Sequence, residues 1–166
     1  DAALRIARKL ASALAYAWSE HKLLHRDIKP SNVLLDSNGE PKLADFGLAK
    51  SLTAASGLTL SHTMMGTPNY MSPEQAEDSA NIDCRADMYS LGATLYHMVT
   101  GQIPFAGSSM IETIRKQATE PLPDPRMFAR DISDDCLALM EIMLSKDPGR
   151  RHQSWDALIA DIDRCL

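Results

Sequence analysis

His25-Arg26-Asp27-Ile28-Lys29-Pro30-Ser31-Asn32 places an acid, a lysine cation and an amide at fixed, short spacing. Before it, Ala3, Ile6, Ala7, Leu10, Ala13, Leu14, Ala17 and Trp18 recur at helical spacing and predict an amphipathic helix over 1–21. Arg5, Arg8, Lys9, Ser12 and Glu20 fall on its solvated side, and Trp18 reads as a core anchor. After it, Val33-Leu34-Leu35 predicts a short strand, and Lys42-Leu43-Ala44 the return strand. Residues 36–41 form the turn between them, with Asn38-Gly39 supplying positive φ. Residues 22–32 are thus a loop between a helix and a strand. Asn32 and Asp45 end at opposite ends of one hairpin, which brings an amide and a carboxylate to one place.

Asp45 opens a second short signature, Asp45-Phe46-Gly47. Six specified residues in an eight-residue window arise by chance on the order of 10⁻⁸ per window. His-Arg-Asp, Lys29, Asn32 and Asp-Phe-Gly in this order resemble the protein-kinase family, its serine/threonine branch in particular. The resemblance covers nearly all 166 residues, but it is to the larger, carboxy-terminal lobe only. It implies a mainly α fold over 1–166: a helical lobe with a small β-hairpin at the catalytic cleft, in which 45–74 is the activation segment. The run Tyr70-Met71-Ser72-Pro73-Glu74-Gln75 and the Tyr89 variant resemble the bacterial, Hanks-type branch more than the usual animal one.

The resemblance implies a role for each matching position. Asp27 would be the catalytic base that orients and deprotonates an acceptor hydroxyl. Lys29 would contact the transferring phosphate; tyrosine kinases generally lack it, so it implies Ser/Thr as acceptor. Thr67, in Gly66-Thr67-Pro68, would bridge the Asp and the Lys. Asn32 and Asp45 would hold Mg²⁺, a hard cation usually bound by one or two protein groups plus phosphate oxygens. ATP would contact Lys29, Ser31, Asn32 and Asp45, with Leu34 beneath the adenine. Gly47 gives the backbone freedom beside Asp45. Phe46 would pack on His25, itself structural rather than catalytic. Arg26 would pair bidentately with a phosphate on Thr63, or on Thr59 or Ser61, and so order the activation segment. Glu74 stands in a Ser-Pro-Glu where the family has Ala-Pro-Glu, and would pair with Arg151. Asp87 would accept hydrogen bonds from the catalytic-loop backbone near His25.

Residues 45–74 are polar and without clear periodicity; a stretch of that length inside a compact domain is usually functional. Asp83 reads as the N-cap of a helix running to Thr100. That helix is apolar almost all round, at Ala86, Met88, Leu91, Ala93, Leu95, Met98 and Val99, and therefore central. Gly101 stops it. A helix over 108–119 follows, then a connector at Pro121, Pro123 and Pro125. Ser133 caps a helix through Lys146 that Asp147-Pro148 ends, and Ser154 caps a last one.

Composition excludes several classes. Hydrophobic residues make up 45% and charged residues 23%, and the net charge of −5 leaves no basic stripe for nucleic acid. Cys84, Cys136 and Cys165 lack metal-type spacing and read as reduced thiols of a cytoplasmic protein. No apolar run approaches a membrane segment. A Gly-rich phosphate loop, a Val-Ala-Ile-Lys strand and an adenine hinge do not appear, so the chain carries only the floor of a two-lobed ATP cleft. Val33, Leu34, Phe46 and parts of the first helix would then form an exposed apolar patch. The helical pattern starts almost at residue 1, as if cut from a larger protein, and the missing N-lobe is expected in cis or in trans. The leading expectation is ATP-dependent phosphoryl transfer to Ser/Thr of protein substrates, as part of a kinase. The alternative is a non-catalytic half-kinase that binds or regulates, which degraded catalytic positions would favour.

Overall fold

The computed structural model describes residues 2–45, 50–51, 68–77 and 81–166. Helix α1 (Ala2–His21) buries Leu4, Ala7, Leu10, Ala11 and Leu14. Ala13, expected inside, is exposed. Successive residues are turned by about 100°, so an inward Leu14 carries Ala13 to the flank. Trp18 sits half-buried at the edge of the core, with the Lys22 ammonium 5.2 Å from its ring centroid. The polar face is partly paired: Arg8 meets Asp163 at 2.6 Å and Lys9 meets Glu40 at 2.6 Å, both at the surface, where such pairs add little.

Two-residue strands β1 (Leu23–Leu24) and β4 (Lys50–Ser51) pair antiparallel, Leu23 opposite Ser51 and Leu24 opposite Lys50. Neither was expected, because two residues show no alternation to read. A 3₁₀ turn, Pro30–Asn32, starts with proline where no N–H is required, and runs into β2 (Val33–Leu35). β2 pairs with β3 (Pro41–Leu43), Val33 opposite Leu43 and Leu35 opposite Pro41, one residue earlier than the strand expected at 42–44. In the turn only Gly39 has positive φ, +77°; Asn38 does not. The Asp36 carboxylate accepts the N–H groups of Asn38 and Glu40, both at 2.9 Å, and so closes the turn with a single left-handed residue.

The stretch expected to lack periodicity also contains a 3₁₀ turn, Pro68–Tyr70, and the short helix α2 (Pro73–Glu77). Helix α3 (Cys84–Thr100) is the axis of the lobe. It is buried continuously from Ala86 to Tyr96. Asp83 caps it by accepting the Arg85 N–H, and Gly101 ends it at φ +70°. α4 (Met110–Thr119), α5 (Asp134–Met143) and α6 (Trp155–Cys165) begin at the side-chain caps Ser109, Ser133 and Ser154. α1 packs on α6 and α3, and α5 on α3 and α6. α3 and α5 approach so closely at Gly92 that an added Cβ would lie 2.7 Å from the Met143 Cβ.

α5 ends at Met143 rather than Lys146. Free of the helix, the Lys146 side chain places its ammonium 3.4 Å from the Phe105 ring centroid and 6.0 Å from that of Tyr89. Among the described residues the buried Nζ has no hydrogen-bond partner. Burial, aided by the like charge of Arg151 and opposed by Glu120, lowers its pKa to about 8. An unfolded chain keeps this proton to about pH 10.4. Between the two values the unfolded state binds more protons, so stability rises with pH across that window. Lys146→Met is therefore expected to raise the thermal midpoint at pH 7. That gain should shrink as pH climbs from 8 and vanish near 10.5, as thermal melts across the range will show.

Candidate active site

One carboxylate holds the 25–32 loop from beneath. Asp87, buried on α3, accepts the His25 N–H on Oδ2 at 2.8 Å and the Arg26 N–H on Oδ1 at 2.9 Å. Burial pushes its pKa upward, against the pull of those two N–H groups. Arg26 stands at φ +67°, a left-handed conformation that costs a non-glycine residue about 1–2 kcal/mol. Gln75 of α2 donates to the Arg26 carbonyl at 3.1 Å, so the strained peptide is held on both sides. The Arg26 Nε is buried and has no hydrogen-bond partner among the described residues.

His25 is 1% exposed. Its Nε2 lies 3.0 Å from the Ala44 carbonyl, and its Nδ1 accepts the Asp27 N–H at 3.3 Å. A carbonyl can only accept, so the ring hydrogen belongs on Nε2. Nε2 thus fastens the loop to the end of the hairpin, and Nδ1 ties the loop to itself.

At the open end, Lys29 Nζ lies 2.7 Å from Asp27 Oδ2, with each side chain about 30% exposed. The Asn32 amide nitrogen donates to the Asp27 carbonyl at 2.8 Å and to Oδ2 at 3.1 Å. Within the described residues, both side-chain contacts of Asp27 fall on Oδ2. With its nitrogen engaged there, the buried Asn32 amide turns its oxygen away from Asp27. The Ala44 N–H donates to the Asn32 carbonyl at 2.8 Å, which closes the base of the hairpin. Asp45 follows directly, exposed and at φ +63°. An amide oxygen and a carboxylate are hard oxygen donors of the kind Mg²⁺ takes, so Asn32 and Asp45 fit the ion by their chemistry. Among the described residues no three His, Cys, Asp or Glu side chains gather at one point. Ser31 is exposed on the 3₁₀ turn. Leu34 and Leu35 on β2 expose 55% and 56% of their surface, leaving apolar surface next in the chain to the polar group. Phe46, Gly47, Thr59, Ser61, Thr63 and Thr67 lie outside the described residues.

A second buried centre lies under α2. The Arg151 guanidinium pairs bidentately with Glu74, at 2.6 and 2.9 Å. It also donates to the carbonyls of Ser145, Arg85 and Lys146 at 2.7, 3.0 and 3.1 Å. All five of its N–H groups are thereby used.

The family described as protein kinase domain matches residues 1–161. The chain belongs to the protein kinase family. Serine/threonine kinases of bacteria are among its relatives. A probable serine/threonine-protein kinase of Streptomyces coelicolor is 40% identical over 87% of this chain and 21% of its own length. The DNA damage-responsive serine/threonine-protein kinase RqkA of Deinococcus radiodurans is 40% identical over 92% of the chain and 23% of its own. The serine/threonine-protein kinase PknB of Mycolicibacterium smegmatis is 35% identical over 98% and 26%. The chain thus spans about a quarter of the length of these curated kinases, and its mainly helical fold is that of the kinase carboxy-terminal lobe.

Sequence reasoning passed over three polar residues that shape this site: Gln75, the α4 residue Gln117, and His97, whose Nδ1 lies 2.6 Å from the Tyr70 hydroxyl. A lone Gln or His carries no spacing signature. Only its neighbours in space reveal it.

Replacing Glu74 by Gln leaves a buried guanidinium short of its counter-charge. It is expected to cost about 3 kcal/mol in chemical denaturation, the low end of the range for buried pairs because Glu74 keeps some surface in water. The double variant Glu74→Gln/Arg151→Met also leaves the Ser145, Arg85 and Lys146 carbonyls without their donor and should be less stable than Glu74→Gln alone.

Proposed function

We propose that this chain is the lobe through which a serine/threonine protein kinase transfers the γ-phosphoryl group of ATP to hydroxyls of protein substrates. The observation that carries this reading is the Asp27 carboxylate, held through Oδ2 by Lys29 and Asn32 at the mouth of a loop braced by Asp87. The acceptor hydroxyl lies against Asp27 Oδ1. Its oxygen bonds to the γ-phosphorus, the bond from that phosphorus to the ADP oxygen breaks, and the hydroxyl proton passes to Oδ1. Lys29 offsets charge on the transferring oxygens, and Thr67 steadies Lys29 against Asp27. Bound through Asn32 and Asp45, Mg²⁺ supplies neutralisation of phosphate charge. Leu34 forms the floor beneath the adenine, while Lys29 and Ser31 flank the phosphates.

The N-lobe, in cis or in trans, supplies the phosphate loop and the roof of the cleft. The site of action is the cytoplasm; no helix among the described residues is long and apolar enough to cross a membrane. The Arg26 Nε, buried without a hydrogen-bond partner among the described residues, supports docking of a phosphate on Thr59, Ser61 or Thr63, which an arginine fork binds well.

The full-length gene product, given ATP and Mg²⁺, is expected to phosphorylate Ser and Thr of a generic protein substrate. Asp27→Asn should lower kcat on the order of 10²–10⁴-fold with the KM for ATP little changed. The 166-residue chain alone should transfer little, since ATP positioning belongs to the other lobe. Strong Asp27-dependent transfer by that chain alone would contradict this division of labour. The triple variant Thr59→Ala/Ser61→Ala/Thr63→Ala should depress activity in the full-length protein, and unchanged activity would remove the regulatory role of Arg26.

A further inference from the structure

The cap of helix α2 and the strained bend of the catalytic loop meet in one side chain. Gln75 Oε1 accepts the Ser72 N–H at 3.0 Å and the Ser72 hydroxyl at 3.0 Å. Its Nε2 donates to the Arg26 carbonyl at 3.1 Å. The partners fix which end of the amide is which. A backbone N–H only donates and a carbonyl only accepts, so oxygen faces Ser72 and nitrogen faces Arg26. The bond to the Ser72 N–H is the returning half of a capping box, in which a Glu or Gln at the third helical position reaches back to the start of the helix. Ser72 is fully buried, and its hydroxyl gives Oε1 a second hydrogen that alanine could not. Two bonds on one oxygen thus hold the carboxamide and aim its nitrogen at the loop.

That nitrogen meets a particular peptide. Asp87 takes the N–H groups of His25 and Arg26, and so fixes the loop as far as the Arg26 nitrogen. The carbonyl held by Gln75 lies beyond that point, in the peptide that joins Arg26 to Asp27. Arg26 itself stands at φ +67°, where a side chain is strained and rotation of the backbone brings relief. Such a rotation leaves the Asp87 bonds intact, turns the Arg26 carbonyl away from Gln75 and carries Asp27 with it. At the other end of the same peptide, the Asp27 N–H reaches His25 Nδ1 at the longer distance of 3.3 Å. Capping α2 does not call for Nε2, because glutamate serves equally in this half of a capping box. What glutamine adds is a donor. We propose that Gln75 is a positioning residue for phosphoryl transfer. Acting through the Arg26 carbonyl, it holds the peptide that leads into Asp27 and so sets the direction of the Asp27 carboxylate. This inference rests on the phosphotransfer reading above.

The test uses the full-length gene product with ATP, Mg²⁺ and a protein acceptor. It reads the single-turnover rate of transfer, the KM for each substrate and the melting temperature. Gln75→Glu keeps an acceptor for both Ser72 bonds but loses the donor. It should melt near wild type and transfer about tenfold more slowly, the effect of one hydrogen bond, with both KM values within about twofold of wild type. Gln75→Met loses the cap as well, and should show the same fall in rate at a lower melting temperature. Ser154→Ala removes the side-chain cap of α6 and serves as the stability control. It should lower the melting temperature and leave the transfer rate near wild type. Wild-type rates in both Gln75 variants, a change confined to KM, or an equal fall in Ser154→Ala at equal loss of melting temperature would overturn this proposal and leave the kinase reading standing. A wild-type protein without Asp27-dependent transfer would overturn the kinase reading, and this proposal with it.

Discussion

A buried carboxylate that accepts two adjacent backbone N–H groups organises this lobe. Asp87 spends both oxygens on His25 and Arg26, and an uncompensated carboxylate at that depth would be prohibitive. The constraint runs in both directions. The loop must present two neighbouring N–H groups to one point on α3, and it can do so only by bending at Arg26 into a left-handed conformation. The strain is local and small beside the cost of leaving the carboxylate without donors. Because α3 is buried along almost its whole length, Asp87 cannot drift. The position of Asp27, one residue past the bend, is inherited from the core.

Arg151 does for α2 what Asp87 does for the loop. Its five donors join α2, the start of α3 and the turn after α5, so three elements meet at one planar group. Lysine offers three donors and no fork, and could not make this set. The guanidinium also lies over Tyr89, whose hydroxyl reaches Gln117. A continuous polar path thus crosses an otherwise apolar interior, from Glu74 to the Pro68 and Asn69 carbonyls. Each member has its partners, which is the condition under which a buried network rigidifies rather than weakens a core.

What could be read from the sequence divides along physical lines. The catalytic loop was legible because its chemistry demands particular residue types in a particular order: His25, Arg26, Asp27, Lys29 and Asn32 are too specific a set for chance. Helix α3 was legible because an apolar surface all round has one explanation. The inward stripe of α1 was legible at Ala7, Leu10 and Leu14 but misread at Ala13, since alanine is equally content inside and out. β1 and β4 were invisible, being set by pairing rather than by alternation. Gly39 alone takes the left-handed position in the hairpin because Asp36 satisfies the N–H groups that a two-residue turn would otherwise leave to the strands. Gln75, His97 and Gln117 are polar residues whose meaning lies entirely in contacts far away in sequence.

The same bonds explain how a catalytic arrangement can be preformed within one lobe. Every contact described for His25, Arg26, Asp27, Lys29 and Asn32 comes from within this chain: from Asp87, Gln75 and Ala44, and from one another. None of them waits for a nucleotide. The position of Asp27 is accordingly a property of the folded lobe, to which the exposed Leu34 and Leu35 add apolar surface. Catalysis by proximity needs both reactants held at once, and each missing restraint multiplies the loss. Preorganising Asp27 without enclosing the nucleotide therefore meets only half of the requirement. In the phosphotransfer proposed above, the chemistry would sit where the lobe's own core holds Asp27 in place, through Asp87 and the backbone bonds at His25 and Arg26.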